Sequence, residues 1–184
     1  EDHIANADLL DLMRRVRCFG INLARLDIRQ EADRHSKLLN ELFKKKYNIR
    51  YNLLSEKQKI KLLKKIIKEK NYFVDRTKIT NKENKEVWNT FKQISKTPNE
   101  CLGAYVISMT STASDILSVY FLQIQAKIKN FLRVVPLFET LDDLKNANSV
   151  MKNLFKLSWY RKMTSAKQEV CLLYTSDAAD DLRC

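Results

Sequence analysis

Two glycines and two prolines in 184 residues leave little material for tight turns. That scarcity argues against a turn-rich all-β fold and for long helices. The four cysteines, Cys18, Cys101, Cys171 and Cys184, contain no C-x-x-C pair. Neither a zinc site nor a disulfide framework is suggested, and reduced thiols are the simplest reading. No apolar run approaches the roughly 20 residues needed to span a bilayer. The longest candidate, DILSVYFLQIQAKI, is broken by polar residues. The opening EDHIANADLL is acidic, has no hydrophobic signal region and does not start with methionine. It is read as the interior of a longer protein without a signal peptide.

What is present fits a globular domain with a real core: 45% of residues are hydrophobic and 30% charged. The formal charge of +12 requires a polyanionic partner to be weighed. The densest basic stretch, SEKQKIKLLKKIIKEK, places its lysines mainly between the apolar positions of one helix. That is the pattern of a solvated face. It lacks a nucleic-acid motif and an interleaved aromatic ladder. No nucleic-acid and no membrane partner is therefore expected. The competing reading is a basic helical protein, without catalysis, that binds nucleic acid or an acidic surface.

Periodicity sets the element order. ADLLDLMRRVRCFG carries a helical stripe of Leu9, Leu10, Leu12, Met13 and Val16, with Gly20 as its stop. INLARLDI reads as a strand over Ile21 to Ile28, ending in Arg29, Gln30 and Glu31, before a helix through Leu38, Leu39 and Leu42. Ser55 with Gln58, and Thr80 with Glu83, read as capping boxes of two more helices. CLGAYVISM and FLRVVPLF are strands, each followed by a helix, and EVCLLY begins like a fourth after a short helix in LSWYRKMTSAKQ. Strands separated by helices imply right-handed crossovers and a parallel sheet. The expected fold is a helix-rich α/β arrangement with three to four parallel strands, too few to close a barrel.

In VVPLFETLDDL an apolar strand stops at a single carboxylate, Glu139, where a helix begins. One explanation is local, because Thr140 and Asp143 read as a capping box and Glu139 only adjoins it. The other is functional, because strand ends facing helix starts are where α/β barrels keep their chemistry.

Three blocks, RRVRCFGINLARLDIRQEADRH, AYVISMTSTASDILSV and VVPLFETLDDLKNANSVM, continued by WYRKMTSAKQEV, resemble in order and spacing the central part of phosphoenolpyruvate carboxylase. The resemblance runs from about Leu9 to Val170 and is weakest between Tyr47 and Asn99. It implies a partial (β/α) barrel of that family's type, with residues 1–170 an incomplete central part of the barrel domain. It also implies a lyase joining bicarbonate to phosphoenolpyruvate, with oxaloacetate and phosphate as products. In the family, bicarbonate attacks the phosphoryl group, and the enolate of pyruvate is then carboxylated. Mg²⁺ or Mn²⁺ is the implied cofactor, and a cytoplasmic homotetramer the implied setting.

Carried over residue by residue, Glu139 matches the metal-ligating glutamate, and Arg29 matches the arginine facing the substrate phosphate. A guanidinium fork suits phosphate oxygens, and a hard cation wants few, well-placed carboxylates. Arg25, on the same strand face, stays open as a less favoured substrate contact. Ala32 replaces the family's serine in this block. Without the resemblance, Arg29 could simply pair with Glu31 or Asp27. His35, Asp27, Asp115, Trp159 and Tyr160 read as structural.

The family continues with a motif of the form MIGYSDSAKDAG, which supplies a second metal carboxylate and a lysine. Its spacing puts them at Ser176 and Ala179, so neither group is present. The upstream TAHPT histidine block and the downstream GRGGSIGRGG segment are absent too. From Cys171, CLLYTSDAADD is what one reading frame of a transposon-based sequencing-library adapter encodes. Residues 171–184 are thus expected to be a non-native tail, and the polypeptide as written to be inactive.

Overall fold

The computed structural model describes residues 8–20, 24–69, 72–164 and 167–172. Helix α1 (Asp8–Phe19) ends at Gly20, whose φ of 61° supplies the left-handed turn expected of a C′ glycine. Strand β1 (Leu26–Glu31) leads into α2 (Ala32–Tyr47). Helices α3 (Glu56–Glu69) and α4 (Lys82–Ile94) follow before β2 (Leu102–Ser108). Then come α5 (Ala113–Gln125), β3 (Val134–Phe138), α6 (Leu141–Phe155), the short α7 (Ser158–Met163) and β4 (Cys171–Leu172).

The four strands form one sheet in the order β1-β2-β3-β4, all parallel and not closed. Sequential neighbours joined by helical crossovers are the barrel-type arrangement, and the element order is the one expected from periodicity. Tyr105, Ile107, Val134 and Phe138 turn to one face and join the main core with the helices. Ala104, Val106, Val135 and Leu137 turn to the other, where Cys171 packs with them in a small separate cluster. Alternation along each strand produces this two-sided burial.

Three details depart from the sequence reading. Among the described residues the first strand begins at Leu26, where Leu102 of β2 gives it its first partner, so Arg29 sits within the strand and Arg25 precedes it, while Ile21 to Leu23 lie outside the described residues. Helix α4 is capped by Asn81, whose side chain accepts the Asn84 amide at 3.0 Å, because the Thr80 hydroxyl is committed to Glu41. Helix α5 carries no one-sided stripe. All thirteen of its residues are buried, because the sheet lies on one side and α2, α3 and α6 cover the rest.

Buried polar groups along α5 are satisfied individually. Gln123 brackets Leu132, accepting from its amide at 2.7 Å and donating to its carbonyl at 3.2 Å. Glu56, on α3, accepts from the Ser114 amide at 2.9 Å and its hydroxyl at 2.7 Å, holding α3 against the start of α5. Ser176, Ala179 and Cys184 lie outside the described residues.

Candidate active site

The register of the parallel ladders decides which side chains share a face. Arg29 pairs with Val106, and Val106 with Val135, so these three point the same way. Val106 and Val135 belong to the cluster on the face away from the helices, and Arg29 therefore projects there too. Glu139 follows β3 immediately, two residues past Leu137 of the same cluster, and alternation carries it to that face. From Arg29 to Glu139 is two strands across, roughly 10 Å, and four residues toward the carboxyl ends, roughly 13 Å. A long guanidinium and a carboxylate so placed can close on one small ligand over the sheet's carboxyl side. Arg25 lies at the opposite, amino-terminal end of β1, about 13 Å farther along the strand direction. Arg29 thus lies nearer than Arg25 to the carboxyl ends of the strands, where Glu139 stands.

The local explanation of Glu139 is met at its backbone. The Thr140–Asp143 capping box forms: the Asp143 amide donates to the Thr140 hydroxyl at 3.1 Å, and the Thr140 amide to the Asp143 carboxylate at 3.0 Å. The Glu139 amide also donates to that carboxylate, at 3.3 Å. Partial desolvation would raise the Asp143 carboxyl, but the donors of Thr140 and Glu139 outweigh it and hold it below its ordinary value. The box thus uses the backbone of Glu139. Its carboxylate is exposed and makes no hydrogen bond or ion pair among the described residues. Nor is Arg29 paired with Asp27 or Glu31. Asp27 turns to β2, accepting the Ala104 amide at 2.7 Å, while Glu31 offers α2 no side-chain cap.

The remaining residues singled out from sequence are structural. His35 is fully buried, its Nε2 2.8 Å from the Tyr105 hydroxyl. Burial and the neighbouring Arg34 charge push its pKa down to about 3. Asp115 receives the amides of Ser111 and Thr112 at the start of α5. Tyr160 is wholly buried and Trp159 packs against the core.

Two supporting residues escaped the sequence reading. Gln168 accepts from the Tyr160 hydroxyl and donates to the Val134 carbonyl, tying the approach to β4 onto β3. It lies in the WYRKMTSAKQEV block, so the resemblance alone marked it. Met109, at the carboxyl end of β2 between the strands of Arg29 and Glu139, has φ 54° and is 63% exposed. A left-handed non-glycine residue is uncommon and concentrates at functional sites, but nothing in YVISMTS announces it.

For a hard divalent cation, Glu139 is a usable single ligand: exposed, unengaged and beside the strand ends. Among the described residues, no group of three or more His, Cys, Asp or Glu stands close enough to enclose a metal. A cation here would rest on one protein carboxylate, with water and substrate oxygens in its other positions, which suits Mg²⁺ better than an all-protein cage.

The phosphoenolpyruvate carboxylase family model matches residues 1–182. Phosphoenolpyruvate carboxylases of Enterobacter sp. (strain 638), Escherichia coli (strain K12 / DH10B) and Shigella boydii serotype 18 are each 44% identical over 177 residues, 96% of this chain. The chain spans about a fifth of the length of these curated relatives, 20% in each case. With a family model matching nearly every residue and relatives 44% identical over 96% of it, the chain belongs to the phosphoenolpyruvate carboxylase family.

Proposed function

We propose that Arg29 and Glu139 are two components of an active site that carboxylates phosphoenolpyruvate with bicarbonate, releasing oxaloacetate and phosphate. The observation that carries this reading is their shared, uncommitted position on the open face of the parallel sheet. The planar fork of Arg29 pairs with two phosphate oxygens at once and orients the phosphoryl group over the sheet. Glu139 supplies the carboxylate for Mg²⁺ or Mn²⁺, held by the capping box at its backbone. Such a cation offsets charge on the phosphate and on the developing enolate oxygen. The apolar floor of Val106, Val135 and Leu137 limits water beneath the reacting carbons. In its complete form the enzyme is a (β/α) barrel, working in the cytoplasm as a homotetramer.

The 184-residue polypeptide by itself has no carboxylase activity on this reading, because Ser176 and Ala179 stand where the family has its second carboxylate and its lysine. We further infer that residues from about Cys171 onward are not native, although Cys171 and Leu172 pair with β3 and the family match runs to residue 182. A short apolar segment completes a ladder whatever its origin. A long read of the source DNA through the codons for Lys167 to Val170 tests this. Continuation into a YSDSAKDAG-like stretch supports the inference, and genomic codons for CLLYTSDAADD overturn it.

The activity itself is tested in a chimera, with residues 9–170 replacing the matching segment of the Escherichia coli relative. Oxaloacetate formation is expected, and Glu139→Gln should lower kcat/KM by at least about 100-fold. A folded, active chimera indifferent to Glu139→Gln removes Glu139 from the site.

A further inference from the structure

We propose that the cleft between α3 and the carboxyl end of α6 is a docking groove for an acidic amphipathic helix of a partner protein. The cleft has a volume of about 530 Å³. Its floor is apolar, with Ile60 on one wall and Leu157 on the other. Lys57, Lys61 and Lys64 stand along one side and Lys156 on the opposite side. None of the four is in an ion pair among the described residues. Glu56 also lines the cleft, and its two carboxylate oxygens accept from the Ser114 amide and hydroxyl.

Charge and spacing select the occupant. Four ammonium groups against the single Glu56 carboxylate leave the apolar floor ringed by net positive charge, which favours an anionic, partly apolar ligand over a neutral one. Lys57, Lys61 and Lys64 follow the i, i+4, i+7 pattern and extend over roughly 10 Å of helix. One phosphate or carboxylate cannot engage that length, whereas acidic residues repeated along a facing helix can. The same helix buries an apolar edge against Ile60 and Leu157, as in helix-in-groove recognition. A nucleic acid would gain no stacking platform here, because among the described residues no aromatic side chain lines the cleft. The lysines that read as an ordinary solvated face in sequence are thus gathered around a cleft by the α3–α6 juxtaposition.

The test uses the 184-residue chain and a labelled synthetic peptide about five turns long, with leucine on one helical edge and glutamate flanking it, read by fluorescence anisotropy. Saturable binding is expected, weakening at least about tenfold in the Lys57→Glu/Lys61→Glu/Lys64→Glu variant. The milder Lys57→Gln/Lys61→Gln/Lys64→Gln variant, with an unchanged circular dichroism spectrum, should weaken it by a smaller factor. Ile60→Gln should weaken it with the charges intact. The proposal is overturned if there is no saturable binding, or if the folded glutamine variant binds like the parent. It is equally overturned if a scrambled peptide of the same composition, oligoglutamate or single-stranded RNA binds as tightly.

Discussion

Asp27 of β1 accepts a hydrogen bond at 2.7 Å from the Ala104 amide of β2, and it reaches that amide over the bare Cα of Gly103. Between Leu26↔Leu102 and Ile28↔Tyr105, β1 advances by two residues and β2 by three. This is a bulge in a parallel ladder, and its extra amide would otherwise lack a ladder partner. A slip of one residue exchanges the two faces of a strand. The Asp27 carboxylate therefore helps fix the register that turns Ile28 toward the helices and Arg29 away from them.

A side chain at residue 103 would collide with the Asp27 carboxylate, not with backbone. Gly103→Ala should consequently cost about 1–3 kcal/mol, by expelling the carboxylate from the Ala104 amide. Asp27→Ala should cost a similar amount. Their effects should not add, because either change alone removes the same bond. Denaturant unfolding of the two single variants and the double variant gives the coupling directly. Additive losses would mean that Gly103 acts through something other than Asp27.

This bulge marks a limit of what the sequence discloses. The apolar runs in CLGAYVISM and FLRVVPLF are enough to locate two strands, and the helices between strands are enough to make the sheet parallel. The capping box at Thr140 and Asp143 is local chemistry, visible as a short motif, and at Ser55 and Gln58 half of the expected box forms, with Gln58 accepting from the Ser55 amide at 2.8 Å. Glu139 stands out in sequence as a lone carboxylate at a strand end, but the functional reading of it, and Arg29 altogether, rest on the resemblance, because a lone arginine carries no spacing signal. What stayed hidden depends on tertiary contact. Glu41 takes the Thr80 hydroxyl and shifts a helix cap by one residue, and α3 covers the outer side of α5.

Glu41 joins three parts of the chain. Its carboxylate accepts from the Thr80 amide and the Asn84 side chain, both at 2.7 Å, and from Lys45 at 2.7 Å. Desolvation would raise its pKa, but the bonds from Lys45, Thr80 and Asn84 together bring it down to about 2. A depressed carboxylate stabilises the fold fully above its unfolded value near 4.5 and loses that contribution as pH falls toward 2. Glu41→Ala should cost about 2–3 kcal/mol at pH 7. The gap between variant and parent should shrink between pH 4.5 and 2, measured by chemical denaturation at each pH. A gap independent of pH would remove the charge from the account.

His35 acts in a different window. Its pKa falls from 6.5 to about 3, chiefly through burial, so the native state keeps it neutral where the unfolded chain protonates it. The unfolded state then binds one more proton below pH 6.5, and stability declines as pH drops toward 3. The decline approaches about 1.4 kcal/mol per pH unit for this group. His35→Gln retains a hydrogen-bonding partner for Tyr105 but cannot titrate. Between pH 7 and 5 the parent should lose stability faster than the variant, in a range where Glu41 remains ionised in both states. Parallel profiles over that range would show that His35 is not the group responsible.

Arg25 and Arg29 separate the proposed site from a general basic surface. If phosphate is held over the carboxyl ends of the strands, only the arginine within β1 reaches it, and Arg25 stays at the far end. In the chimera, Arg29→Lys keeps the charge but loses the planar two-point contact. It should lower kcat/KM for phosphoenolpyruvate by about 10-fold or more, whereas Arg25→Lys should change it by less than about threefold. A site that merely attracts anions would respond equally to both substitutions, and Lys would replace Arg at either position without loss. Equal sensitivity would therefore argue for a diffuse field, and a loss confined to Arg29 for a phosphate held at one place on the sheet.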